Sequence, residues 1–217
     1  MNTAKHQRVV IWGAGGHAKV VAEILRARGI EIVGFVDDIN LGRRHEPFCG
    51  ATVLGGRDEF EKRQHNGLLS VIIGFGANTR RLSAGQLVKS LGFMLVSAIH
   101  PSAIVAPDVV VGAGSMVAAG VVINPGSTIG ESAIVNTSAI VDHDCTLDDG
   151  VHVGPGVNIA GHVHLGRCAW IGIGATVIDH KRIGEGAIVG AGAVVIDDVP
   201  DGVVVAGVPA RILACGK

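Results

Sequence analysis

From Ile99 to Pro200 the apolar residues return every six positions. Ile, Val or Leu opens each block, at Ile99, Val105, Val111, Val117, Ile123, Ile129, Val135, Val141, Leu147, Val153, Ile159, Leu165, Ile171, Val177, Ile183, Val189 and Val195. The fifth place of each block holds Ala, Ser, Cys or Val from Ala103 to Val199, with Lys181 the one departure. A helical period of 3.6 residues drifts out of such a frame within two blocks, so the pattern predicts a parallel β-helix of hexapeptides. Three blocks make a triangular coil of eighteen residues, and the seventeen blocks give between five and six coils. First-place aliphatics and fifth-place small residues point inward and stack, coil upon coil. Glycine at second and fourth places serves the corners, where positive φ is needed. Burying one aliphatic per block, at roughly 1.5–3 kcal/mol each, drives the stacking. Lys181 predicts a local bulge or corner, because a buried unpaired lysine is costly.

The pattern before Ile99 is different. Arg8–Trp12 reads as a strand, Gly13-Ala-Gly15-Gly16-His17-Ala18-Lys19 as a glycine turn, and Val20, Val21, Ile24 and Leu25 as a helix stopped at Gly29. Ile32–Val36 is a second strand, ending on Asp37-Asp38. This β-α-β unit puts helix N-terminal amides where a phosphate can be held, and puts Asp37 and Asp38 where a ribose or base is met. Gly13, Gly15 and Ala18 complete a dinucleotide fingerprint, a weak signal, since the same glycines serve any tight strand-to-helix turn. Asp58-Glu59-Phe60 opens another helix, Leu69–Ile73 is a strand, Gly74–Asn78 a second glycine-rich turn, Leu82, Leu87, Val88 and Leu91 mark a helix, and Phe93–Ser97 a strand. Alternating strands and helices over residues 1–97 imply a small parallel sheet. It is about half of a dinucleotide fold, which suits a mononucleotide or sugar nucleotide better than a nicotinamide cofactor. Residues 98–217 form the second domain, in which a short tail after Pro200 folds back over the last coils.

Composition narrows the function classes. The net charge of −1 comes with no basic stripe, which argues against a nucleic-acid partner. No apolar run spans a bilayer and the N-terminus lacks a signal-peptide core, so a soluble, cytoplasmic protein is expected. Cys49, Cys145, Cys168 and Cys215 show no C-x-x-C spacing and read as reduced, with Cys145 in an inward fifth-place slot.

Apolar positions build the prism, so chemistry is sought in polar residues at outward places. Val141-Asp142-His143-Asp144-Cys145-Thr146 sets a histidine beside an acid where most blocks carry Gly, Ala or Pro. An imidazole near pKa 6.5 can take a proton at neutral pH, and an adjacent carboxylate can fix its tautomer. Gly161 falls eighteen residues on, one coil up, where its N–H could meet an oxyanion. His152 stands nine residues after His143, near a corner. His162, His164 and His180 raise a zinc reading, with His162 and His164 spaced to point the same way from one strand; no carboxylate constellation goes with it, and no metal is expected.

The phased hexads with His143-Asp144, together with Gly13–Lys19, Phe35-Val-Asp-Asp38 and the closing Gly207-Val-Pro-Ala-Arg211, resemble one family over essentially the whole chain. It is the sugar O- and N-acyltransferases that include sialic-acid O-acetyltransferases, UDP-4-amino-sugar (bacillosamine) N-acetyltransferases and GDP-perosamine N-acetyltransferases. The resemblance implies a small Rossmann-like α/β domain on a left-handed β-helix, against the usual right-handed crossover. It also implies a homotrimer with acetyl-CoA in the groove between neighbouring prisms, and bacterial surface-glycan (O-antigen) synthesis. By resemblance His143 matches the catalytic base and Asp144 the acid that orients it. Gly161 matches the amide facing the acetyl carbonyl, His152 a second contact to the acyl group, Asn136 a polar position near the amine, and Ile173 the pantetheine path. Gly13, Gly15, Gly16, His17, Asp37 and Asp38 match the nucleotide-holding loops. The reaction implied is acetyl transfer to the C4 amine of a nucleotide-linked 4-amino-4,6-dideoxy sugar, GDP-perosamine before UDP- or dTDP-linked sugars. A sialic-acid-type O-acetyltransferase and a metal-binding or non-enzymatic prism are the alternatives.

Overall fold

The structure is a computed structural model and describes residues 8–63 and 70–213. The N-terminal leader reading, the start of the strand at Leu69, and Cys215 fall outside the described residues.

The first unit is a six-stranded sheet with helices against it. Its elements are β1 (Arg8–Trp12), α1 (Gly16–Ala27), β2 (Glu31–Val36), β3 (Pro47–Phe48), β4 (Ala51–Gly55), α2 (Asp58–Arg63), β5 (Ser70–Ile73), α3 (Asn78–Ser90) and β6 (Met94–Leu95), in sheet order β3-β4-β2-β1-β5-β6. The sheet is not wholly parallel, because β3 and β4 form an antiparallel hairpin. The strand expected over Phe93–Ser97 is only the two residues Met94 and Leu95. α1 buries Ala18, Val21, Ala22, Ile24 and Leu25, the apolar stripe read from the sequence. Gly29, at φ +69°, ends it, and Ile30 N–H bonds back to Leu25 O at 3.0 Å, as a helix closed by a left-handed residue does. β1 is central, with parallel β2 on one side and parallel β5 on the other, so the order in which strands are added reverses at the β1/β5 crevice. There the two glycine turns touch: a Cβ on Gly13 would stand 2.9 Å from the Gly74 backbone, so only glycine permits the approach.

From Ala98 the chain winds into a left-handed parallel β-helix. Two-residue strands from Ala98–Ile99 to Val194–Val195 stack into three flat faces. Pairing joins each residue to the one eighteen positions on, for example Met116 to Ile134, Ile140 to Asn158 and His164 to Arg182. The face that begins with Ala98–Ile99 is called here the first, the next (Ile104–Val105) the second and the next (Val110–Val111) the third. First- and fifth-place residues from Val117 onward are buried, Lys181 excepted. Positive φ is confined to the fourth place, at every block from Gly114 to Gly192, including non-glycine Ser132, Ser138, Asp144, His162, Cys168 and His180. Second-place glycines have ordinary φ and answer to a different demand. A Cβ on Gly112 or Gly166 would press within 2.5–2.7 Å of the backbone one coil above.

Lys181 makes no bulge but directly follows the left-handed corner residue His180. Arg182 and Ile183 pair in normal register with His164 and Leu165, and Lys181 is half-buried. The irregularity sits one coil higher, where Val199 bridges to Ile183 and Val204 pairs with Ile188, sixteen residues on instead of eighteen. The tail then adds the strands Val204–Ala206 and Arg211–Ile212 to the first face, the latter antiparallel. Among the described residues no helix is long and apolar enough to cross a membrane.

Candidate active site

His143 and Asp144 lie on the edge between the second and third faces, in the corner after Ile140–Val141. His143 Nδ1 is 2.8 Å from Asp144 Oδ2. Asp144 reaches the ring because its backbone is left-handed, φ +57°, and because Gly126 one coil below leaves its carboxylate room that a Cβ would take. Asp142 braces the same corner, accepting from His143 N–H at 2.8 Å and from Asn124 Nδ2 at 2.7 Å. The Asp144 hydrogen bond is the main reason the His143 pKa rises above its ordinary value; Asp142 adds charge of the same sign. With Nδ1 engaged by a carboxylate, Nε2 is left as the basic nitrogen.

Gly161 is stacked directly over this ring. A Cβ there would be 2.7 Å from His143 Cε1 and Nε2. Among the described residues its N–H has no acceptor. His162 meets His143 edge-on at 5.1 Å and His180 face-on at 4.6 Å, and its Nε2 is 3.7 Å from Asp144 Oδ2. His143, Asp144 and His162 are therefore a group whose ligand atoms could close on a metal ion, with Asp144 the carboxylate the sequence reading did not place. His162 and His164 do not point together. His162 sits at the left-handed corner, whereas His164 is on the third face between Asp148, 3.0 Å away, and Arg182, 3.1 Å away.

The nucleotide-type residues form a second, separate group. A cleft of about 720 Å³ is lined by Gly13, Gly15, Gly16, His17, Asp37 and Asp38, with Trp12, Phe75, Arg43, Arg57 and Arg80 around them. The N-terminus of α1 enters it through Gly15 with no side-chain cap and no acid in the first turn, so its amides face the cleft unneutralised. Asp37 and Asp38 brace the cleft floor. Asp37 accepts from Ile39 and Asn40 N–H and pairs with Arg43 at 3.4 Å; Asp38 accepts from Trp12 Nε1 at 3.0 Å and from Arg57 N–H.

The cleft adjoins the first face of the prism. His152 stands there in the strand His152–Val153, its ring 3.5 Å from Asn136 Nδ2 and stacked on Trp170 at 6.1 Å. Burial, with the nearby Arg81 charge second, lowers His17 and His152 to about 4 each, so both imidazoles are neutral at neutral pH. Ile173 is on the edge between the first and second faces, 63% exposed. Within one chain Asn136 thus lies beside His152, away from His143. Nine residues are half of an eighteen-residue coil, so the first face and the His143 edge lie on opposite sides of one prism.

Sequence reasoning missed Arg81 and Asn78, which join the halves of the chain. Both sit in the first turn of α3, and their partners lie in the prism at Ser132, Gly150 and Cys168. Arg81 reads as a routine surface cation, and no local signal marks it as buried.

Residues 8–86 match the family model described as the PglD N-terminal domain. GDP-perosamine N-acetyltransferase from Caulobacter crescentus, solved as a histidine-to-alanine variant with CoA and GDP-perosamine, is 45% identical, with TM-score 0.91, covering 95% of this chain and 96% of that one. This chain belongs to the hexapeptide-repeat, CoA-dependent sugar N-acetyltransferases. The acetyltransferase domain of PglB from Neisseria gonorrhoeae FA1090, solved with acetyl coenzyme A, is 38% identical at TM-score 0.89, covering 96% of this chain and 100% of that one. WeeI from Acinetobacter baumannii AYE is 29% identical at TM-score 0.81, covering 94% and 99%. A comparison with curated proteins yields no significant match. In this family the acyl donor is CoA-bound, so the His143–Asp144 pair under the free Gly161 amide is chemistry suited to a thioester.

Proposed function

We propose that the protein transfers the acetyl group of acetyl-CoA to the C4 amine of a GDP-linked 4-amino-4,6-dideoxy sugar of the perosamine kind. The observation carrying this is the 45% identity, over 95% of the chain, to an enzyme solved with CoA and GDP-perosamine. The nucleotide lies in the cleft, its diphosphate toward the α1 amides and its base between Trp12, Phe75 and the Asp37–Ile39 loop. The neutral amine attacks the thioester carbonyl as His143 Nε2 takes its proton, with Asp144 holding Nδ1. The Gly161 N–H donates to the oxyanion. Collapse breaks the carbon–sulfur bond, and the imidazolium returns its proton to the departing CoA thiolate.

The cleft and His143 are on opposite sides of one chain, which supports a site completed by a second copy within a trimer. The outward column of the second face points the same way: Ile104 and Ile140 are exposed, with Val122 between them half-buried. Soluble acetyl-CoA and nucleotide sugars place such an enzyme in the cytoplasm, early in surface-glycan synthesis.

The test is CoA-thiol release with GDP-, UDP- and dTDP-4-amino sugars beside sialic acid. GDP-perosamine is expected to be fastest; release with sialic acid alone would make the protein an O-acetyltransferase. For the shared site, inactive His143→Ala and His152→Ala subunits are co-refolded. Recovered turnover supports an active site built from two chains, and none refutes it.

A further inference from the structure

Arg81 is 1% exposed and, among the described residues, meets no carboxylate. Its guanidinium is spent on oxygen acceptors of the two halves of the chain. Nε donates to Ser132 O at 2.7 Å, Nη1 to Gly76 O at 2.7 Å, and Nη2 to Gly150 O at 2.8 Å, Asn78 Oδ1 at 3.1 Å and Val151 O at 3.3 Å. Ser132 and Gly150 hold the same fourth place in successive coils, both at positive φ. Asn78 extends the grip to the next coil, donating to Cys168 O at 3.0 Å and Ala169 O at 3.2 Å. Two side chains in one helical turn thus span three coils of a prism edge.

At its other end this joint reaches the substrate cleft. Gly76 lies in the turn that walls the cleft, its carbonyl accepts from Arg81 Nη1 at 2.7 Å, and the His152 ring stands beside the same turn. A Cβ on Gly76 would sit 4.0 Å from His152 Cε1. Burying a cation against carbonyls alone is costly, and apolar residues often serve packing as well or better. An ion held here in spite of that cost points to a task other than cohesion.

We propose that Arg81 is a positioning residue that locks the Gly76 turn of the nucleotide cleft to the prism and so sets His152 relative to the acceptor sugar. The assignment rests on reading the cleft and first face as the acceptor side of the acetyl-transfer site. The charge has its own consequence. Arg81 opposes protonation of His17 and His152, on top of their burial. Around His152 stand the Gly76 carbonyl, the Asn136 amide, the Trp170 ring, His17 and Arg81, and no carboxylate hydrogen-bonds either imidazole among the described residues. A neutral His152 carries one N–H and one lone pair, so beside the Asn136 amide it can both donate to and accept from a sugar hydroxyl or amine.

Arg81→Lys keeps the charge and loses the fork; Arg81→Gln loses the charge. Both are made in the full chain and checked for folding by circular dichroism and melting. Both should lower kcat/KM for GDP-perosamine about a hundredfold, the scale of a 1 Å misplacement, with KM for acetyl-CoA nearly unchanged. In histidine ¹⁵N spectra, His17 and His152 should stay neutral to about pH 5 in the wild type, and titrate at higher pH only in Arg81→Gln. Folded variants with wild-type kinetics would overturn the proposal, as would a wild-type His152 titrating near its ordinary pKa. If neither variant folds, Asn78→Ala, which removes one anchor, must still raise KM for the sugar selectively; unchanged kinetics overturn it. Wild-type protein inactive on every amino sugar would sink the proposed function, while the histidine spectra would still judge Arg81.

Discussion

Gly161→Ala isolates the stacking of one coil on the catalytic edge. The φ of Gly161 is not positive, so alanine brings no backbone strain. Its Cβ would stand 2.7 Å from His143 Cε1 and Nε2 and 3.2 Å from Nδ1. Carbon contacts relax at about 3.5–4.0 Å, so the ring must retreat by roughly 1 Å. The His143 side chain is 51% exposed and can swing outward, so the stability cost stays below the roughly 1–3 kcal/mol of overpacking in a closed core. That retreat moves Nδ1 off Asp144 and Nε2 off the line of attack. A displacement of this size costs on the order of a hundredfold in kcat/KM, about 2.7 kcal/mol of barrier. The assay is thiol release from acetyl-CoA with GDP-perosamine, alongside a thermal melt. A variant with an unchanged melt and kcat/KM within about threefold of wild type would show that the chemistry does not happen beneath Gly161.

Asp144→Asn removes the main cause of the raised His143 pKa. The base must be neutral to act, so the acid limb of kcat/KM lies above pH 6.5 in the wild type and moves to lower pH in the variant, while the plateau falls at least about tenfold. His17 and His152 titrate near 4 when folded and 6.5 when unfolded, so the unfolded chain takes up protons first as pH falls. Their contribution is complete above pH 6.5 and lost between 6.5 and 4, up to about 3 kcal/mol each. The melting midpoint should drop across that window, and His152→Gln should flatten the drop. Leu147→Ala, at a residue 1% exposed, should cost about 2–5 kcal/mol by urea denaturation, whereas outward-facing Thr146→Ala should cost within about 0.5 kcal/mol.

The family resemblance and the prism were legible because a hexapeptide coil repeats one local demand many times. Each first place must fill the core, each fifth place must fit beside it, and each fourth place must turn a corner, so one phase error would expose a whole row. The same frame stacks Gly161 over His143, since eighteen residues is one coil. Spacing also held a signal that the reading of the corners did not use: His143 and His152 differ by nine, which is half a coil. The expected bulge at Lys181 was misplaced because the two residues the chain drops come one coil later, after Val195, where the apolar frame is still intact in sequence.

Arg81, Asn78, Trp170 and the burial of His17 and His152 near the same Arg81 charge were not legible. Burial of Arg81 depends on α3 docking along a prism edge, and its partners are main-chain carbonyls, which every residue carries and no sequence pattern marks. The β-helix itself was written in periodicity, because its contacts repeat at a constant separation along the chain. The joint between cleft and prism is made once, between residues 51 to 91 positions apart, so only the tertiary structure decided which cation it would bury and which two histidines it would keep neutral.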